Sequence, residues 1–80
     1  MKDITKQDVL NLILKSELEN KLICLTKVIN ADFKIYTEEE LDKLIIIINN
    51  GNNFKLIDYY SSCIKISFFD KNNNKMLLEL

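Results

Sequence analysis

Residues 22–36 carry a period-two pattern of polarity, and this run constrains the fold more than any other feature. Ile23, Leu25, Ile29, Ala31, Phe33 and Ile35 fall on odd positions, with Lys27 the one exception, while Cys24, Thr26, Asn30, Asp32 and Lys34 fall between them. Period-two alternation is the mark of a strand with one buried face. A straight strand of this length would reach about 50 Å, whereas a domain of this size is only about 30 Å across. The segment must therefore turn back on itself, and Asn30-Ala31-Asp32 is the expected corner. A three-residue loop there sets Ile29 opposite Phe33 and keeps both on the face of Ile23 and Leu25.

Helical signals flank this hairpin. Thr5 is placed to cap the amide of Asp8, with Ile4 and Val9 at the positions of a hydrophobic staple. Leu10, Ile13, Leu14 and Leu18 then recur at helical spacing, predicting a buried stripe and a helix ending near Asn20. Thr37-Glu38-Glu39-Glu40 has the form of a capping box, with Tyr36 and Leu41 as its staple and three glutamates at the positive end of the helix dipole. Leu41, Leu44, Ile45 and Ile48 supply the buried face, and Gly51 stands where a C-terminal cap belongs. Ile45–Ile48 also has high β propensity before the turn dipeptide Asn50-Gly51. Capping and periodicity together favour helix through about Asn49.

The remainder predicts strands. Phe54 to Tyr60 form one, and Cys63–Phe69 pairs with Lys75–Leu80 around Lys71-Asn72-Asn73. That register sets Phe68 against Met76, Ile66 against Leu78 and Ile64 against Leu80, with Lys65 facing Glu79 on the other side. The expected fold is a single α+β domain over residues 1–80, ordered α-β(β)-α-β-β-β, with both helices on one face of a small antiparallel sheet.

Composition narrows the chemistry. The chain has no His, Trp or Pro, and its eleven basic residues are all Lys. Without His, no side chain titrates near neutrality at its ordinary pKa. Without Arg, no side chain forms a bidentate fork for phosphate or guanine. Net charge is −1, and residues 1–40 carry six Lys against eight acids while residues 41–80 carry five against four, so no basic block marks a nucleic-acid binder. Cys24 and Cys63 match no metal or redox spacing, and reduced thiols are expected in a cytoplasmic chain. The start leads into polar residues with no apolar leader segment, and the longest apolar run, Leu44–Ile48, is far too short to span a membrane.

Candidate catalytic and metal-binding motifs each have a plainer explanation. Ser61-Ser62-Cys63 lacks a base and is expected to form a turn. Asp70-Lys71-Asn72-Asn73-Asn74 begins like a calcium loop, but Lys75 occupies the glycine position and no bidentate Glu follows. Glu17, Glu19 and Lys21 are expected as solvated helix surface. No catalytic residue, metal site or cofactor is therefore expected. Partner-binding candidates are the acidic set Asp32, Glu38, Glu39, Glu40 and Asp42, together with Tyr59 and Tyr60, of which one ring should be core and the other an exposed interface residue.

The functional expectation is a small non-enzymatic protein acting stoichiometrically on a protein partner. In genre only, with no motif carrying it, this resembles the compact phage or mobile-element inhibitors of bacterial nucleases and defence systems, such as anti-CRISPR proteins. A small nucleic-acid-binding regulator and a toxin-neutralising immunity protein are the alternatives. A homodimer, or an edge bound by a partner, is also expected through an unpaired edge of the last strand beside Leu77, where only Lys75 and Glu79 could guard.

Overall fold

The computed structural model describes residues 1–60 and 62–80. Two helices cover one face of a six-stranded antiparallel sheet. In chain order the elements are β1 (Lys2–Asp3), α1 (Lys6–Leu18), β2 (Ile23–Lys27), β3 (Asp32–Tyr36), α2 (Leu41–Asn49), β4 (Asn52–Tyr60), β5 (Cys63–Phe69) and β6 (Lys75–Glu79). The sheet order is β1-β4-β5-β6-β2-β3, so β1 and β3 are its edges. The longest extent is 30 Å, the limit that forced residues 22–36 to fold back.

Thr5 begins α1 as expected: its side-chain oxygen accepts from the Asp8 amide at 3.0 Å, and the Asp8 carboxylate accepts from the Thr5 amide. The helix ends in a Schellman motif. Asn20 takes the left-handed conformation (φ 55°), its N–H donates to the Glu17 carbonyl, and the Lys21 N–H donates to that of Ser16. The buried stripe is Val9, Ile13 and Ser16, with Leu10 and Leu12 partly buried. Leu14 and Leu18 were expected in it, but Leu18 is 79% exposed. At about 100° per residue they stand about 130° and 170° round from the middle of the stripe that meets the sheet, so residues 14 and 18 turn outward while 9, 13 and 16 turn in.

The approach to α2 is a 3₁₀ turn over Glu38–Glu40, and the α-helix begins only at Leu41. Ile45–Ile48 is helical, with Leu44 and Ile48 fully buried. The expected capping box does not form. The Thr37 hydroxyl donates to the Glu40 carboxylate instead of accepting from a backbone amide, and that carboxylate is engaged by Lys34. Gly51 does follow the helix, but not as a left-handed cap, because its φ is not positive. Glycine is required by a close approach: a Cβ would lie 2.8 Å from Phe68 Cδ2 and 3.2 Å from Phe54 Cζ. The Lys6 ammonium donates to the Asn49 carbonyl at 2.7 Å, tying the start of α1 to the end of α2.

Between helices and sheet lies a single core built on Phe68, Ile66, Leu78, Ile13, Leu44, Ile48 and Val9. Phe54 stacks on Phe68 with centroids 5.1 Å apart. The expected β5–β6 register holds throughout: Phe68 faces Met76, Ile66 faces Leu78 and Lys65 faces Glu79, and Ile64 and Leu80 exchange backbone hydrogen bonds. The loop closing this hairpin is organised by Asp70, whose Oδ1 accepts from the amides of Asn72 and Asn74, with Asn73 left-handed. This is a satisfied polar turn. Among the described residues, no group of three or more His, Cys, Asp or Glu could hold a metal ion. Among the described residues, no helix is long and apolar enough to cross a membrane.

Two expectations about the sheet are corrected. First, β6 is not an edge: β2 pairs with its second side, placing Thr26 opposite Leu77 and Leu25 opposite Leu78. Second, the β2–β3 hairpin has a different register. Its strands are joined by a 3₁₀ turn over Val28–Asn30 plus Ala31 in the left-handed conformation, so Lys27 faces Asp32 and Thr26 faces Phe33. Ile29 lies in the turn, exposed. The facing pairs now join odd to even positions, and Phe33 and Ile35 stand on the opposite face from Ile23 and Leu25.

Candidate functional site, the uncovered face of the sheet

The helices occupy one face of the sheet only, so the other is bare. The registers line its side chains up in rows. One row runs Phe33, Thr26, Leu77, Ser67, Lys55, Asp3 across all six strands. The next runs Ile35, Cys24, Glu79, Lys65, Asp58. Beyond the first row Phe69 faces Lys75, and at the far end Cys63 faces Tyr60.

The face is divided. Its β3–β2 end carries Phe33, Ile35, Cys24 and Thr26; on β6 Leu77 continues it between Lys75 and Glu79, and Phe69 adjoins it from β5. Phe33 is 67% exposed and Ile35 44%. From β6 across to β1, charges of opposite sign stand at facing positions: Lys65 opposite both Glu79 and Asp58, and Lys55 opposite Asp3. The last pair closes to 2.7 Å, and this hydrogen bond holds the Asp3 carboxyl below its ordinary pKa. Lys55, Lys65 and Lys75 are thus matched by Asp3, Asp58 and Glu79, and the face has no net charge.

Cys24 and Cys63 both stand on this face, on strands that flank β6. Cys24 shares a row with Glu79 and Lys65, and Cys63 lies two residues further along β5, so two strand spacings across and two residues along hold the backbones about 12 Å apart, beyond the roughly 7 Å that a disulfide tolerates. Both are free thiols. They line an open hollow of about 490 Å³ together with Leu22, Glu79 and Leu80.

The acidic set is not gathered into one site. Glu38, Glu39, Glu40 and Asp42 lie together around the start of α2, but Asp32 stands at the far end of β3, bonded to Asn30 at the hairpin corner. Glu40 is engaged within the fold. Its hydrogen bond with Lys34 pushes the carboxyl below its ordinary pKa and the ammonium above its own. Lys34 also lies 5.1 Å from the centre of the Tyr36 ring. Glu38, Glu39 and Asp42 remain exposed.

Tyr59 and Tyr60 do point to opposite faces, as strand neighbours must, yet neither is core: they are 61% and 64% exposed. A bulge between Leu56 and Asp58 shifts the register, and Tyr59 lies beyond the part of the sheet that α1 covers fully. Of the serine–cysteine cluster, Ser62 lies in a turn and Cys63 opens β5, while Ser61 lies outside the described residues.

Sequence reasoning missed the apolar end of the bare face, because it assigned Phe33 and Ile35 to the core. The signal that could have found it is arithmetic. A turn one residue longer than the assumed loop reverses the parity of every later position in β3. No protein-family model matches the chain, and no curated protein or solved structure matches it.

Proposed function

We propose that this chain is a non-enzymatic binding protein that acts stoichiometrically on a protein partner, and that the bare face of its sheet is the contact surface. The observation that carries this reading is the juxtaposition of exposed Phe33 and Ile35 with Leu77 and Phe69 on a face no helix covers, beside charges that balance. An aromatic and aliphatic centre with a polar surround is the anatomy of a protein interface. The inhibitor reading suggested by the chain's small size is one way such a protein would act, by occupying its partner.

Nucleic-acid binding is the second reading, supported by three rings on this face, Phe33, Phe69 and Tyr60, with three lysines among them. Single-strand binders combine stacking rings with a positive groove. The rings are present here, but the lysines are matched one for one by acids, which favours protein.

The test compares the native protein with Leu77→Lys, a substitution at the centre of the bare face that leaves the core untouched. Ile46→Lys, on the exposed side of α2, is the control. The expected result is a partner held at one-to-one stoichiometry by the native protein and the control, and lost with Leu77→Lys. Equal retention by all three, or binding only to oligonucleotides with a steep dependence on salt, refutes the reading.

A further inference from the structure

We propose that two copies of this chain pair antiparallel along β3, placing Phe33 of each opposite Ile35 of the other and joining two six-stranded sheets into one. This stands whether or not the bare face takes a further partner.

The free edge can be worked out from the hydrogen-bond ladder. In an antiparallel sheet, facing pairs alternate between hydrogen-bonded and non-hydrogen-bonded, and each residue's backbone groups point to one neighbouring strand only. Ile64 and Leu80 exchange both bonds, at 3.0 and 2.9 Å, so Leu80, Leu78 and Met76 direct their backbone groups toward β5. Leu77 and Glu79 then bond to β2, through Thr26 and Cys24. On β2 this leaves Ile23, Leu25 and Lys27 to bond β3, through Tyr36, Lys34 and Asp32. The backbone N–H and C=O of Phe33 and Ile35 therefore point outward, away from the sheet.

An incoming strand must match this spacing with its own outward groups, and a second β3 does. With Phe33 opposite Ile35 across a two-fold axis at Lys34, both copies offer their free groups at the same positions and four backbone hydrogen bonds form. The two Phe–Ile pairs lie together on the bare face, a favourable cross-strand combination. The apolar ends of the two faces become continuous across the axis, and the charged remainder lies outward of them. Lys34 meets its copy at the axis, but each ammonium is already bound by its own Glu40 and has the other copy's Asp32 on its diagonal. Asp32 itself faces Tyr36. The interface thus sets two lysines among four carboxylates.

The opposite edge of the sheet is guarded and β3 is not. On that side β1 covers the first half of β4, and a bulge after Leu56 breaks the second half. Short edge strands and bulges are the usual protection against strand addition. β3 has five regular residues with no bulge and no proline.

The geometry supplies a selective test. The Ile35 amide is not used inside the chain, so Ile35→Pro removes an interface donor without breaking the β2–β3 ladder; edge positions with an outward N–H tolerate proline. In sedimentation equilibrium the native protein should approach the mass of two 9.4 kDa chains. Ile35→Pro, folded by circular dichroism, should raise the dissociation constant at least about tenfold. If that variant does not fold, Phe33→Lys decides the same point without touching the backbone. The register is read with Lys34→Cys in a background where Cys24 and Cys63 are serine. A non-hydrogen-bonded pair on the axis lies about 4.5 Å apart between Cα atoms, close enough for a disulfide, so oxidation should give a covalent dimer, whereas Asp32→Cys, facing Tyr36, should give little. A native protein that stays monomeric at high micromolar concentration, a folded variant that still dimerises, or equal cross-linking from residues 32 and 34 overturns the proposal.

Discussion

Replacing Gly51 with alanine sets two known effects against each other, and the structure decides between them. Gly51 follows α2 with an ordinary negative-φ backbone. At such a position Gly→Ala usually stabilises by about 0.4–1 kcal/mol, by narrowing the unfolded ensemble. Here the added methyl carbon would lie 2.8 Å from Phe68 Cδ2 and 3.2 Å from both Phe68 Cε2 and Phe54 Cζ. Carbon atoms rest comfortably at about 3.5–4.0 Å, so the Phe68 ring must retreat by most of an ångström. It has no free space, since it is fully buried and stacked on Phe54. Overpacking of this kind costs about 1–3 kcal/mol, which exceeds the entropic gain and leaves a net loss of about 1–2 kcal/mol. For a domain of this size that lowers the melting temperature by roughly 10 °C, measurable by urea titration and thermal melts. Trimming the stack with Phe54→Leu gives Phe68 room to slide, so the double variant should lose about 1 kcal/mol less than the sum of the two single changes. If Gly51→Ala raises stability, or if the two substitutions are simply additive, the clash is not what keeps glycine there.

Two further substitutions test local features. Ala31 holds a left-handed conformation (φ 55°) between β2 and β3, so Ala31→Gly should stabilise the fold by about 1 kcal/mol in urea titration by relieving that strain. Burial works against the Asp70 carboxylate, but the hydrogen bonds from Asn74 and Asn72 outweigh it and hold its pKa below the ordinary value; Asp70→Ala should cost about 1 kcal/mol at neutral pH by removing the hydrogen bonds its carboxylate accepts from the two backbone amides. Because the folded pKa is the lower one, this contribution is complete above the unfolded pKa of about 4 and fades as pH falls through the folded value. The stability gap between native and variant should therefore close in acid, and a gap independent of pH would refute the assignment.

What could be read from the sequence follows the range of the interactions involved. The Thr5–Asp8 cap and the Lys65–Glu79 register rest on residues close along the chain, where chemistry and spacing leave one solution. The helical state of Ile45–Ile48 was legible despite its β propensity, because Leu44 and Ile48 share the spacing of a helix face. The Thr37–Glu40 box failed because Lys34, from the neighbouring strand, competes for the same carboxylate. Gly51 was assigned to the right place for the wrong reason, since its constraint comes from Phe68 in β5, distant in sequence. β1 was missed because two residues carry no periodicity, and only pairing with Leu56 and Lys55 makes them a strand.

The proposed contact surface was illegible for a sharper reason, and that reason bears on how such surfaces arise. Alternation over residues 22–36 shows that two strands each have an apolar side, but it does not say that the two sides coincide. The sum of facing positions in the hairpin decides that. With Ile29 opposite Phe33 the sum is even, and all the apolar residues share one face. With Lys27 opposite Asp32 it is odd, and Phe33 and Ile35 cross to the other face, where Thr26 and Cys24 await them. A left-handed Ala31, a conformation alanine seldom adopts, closes the turn that sets this register. The apolar residues of β3 are thus withheld from a core that Ile23, Leu25 and Leu78 already fill, and displayed at an edge with free backbone groups. A chain selected for stability alone would gain by placing polar residues at positions 33 and 35 or by shifting the turn by one. That it does neither supports the proposed contact at the β3 end of the bare face.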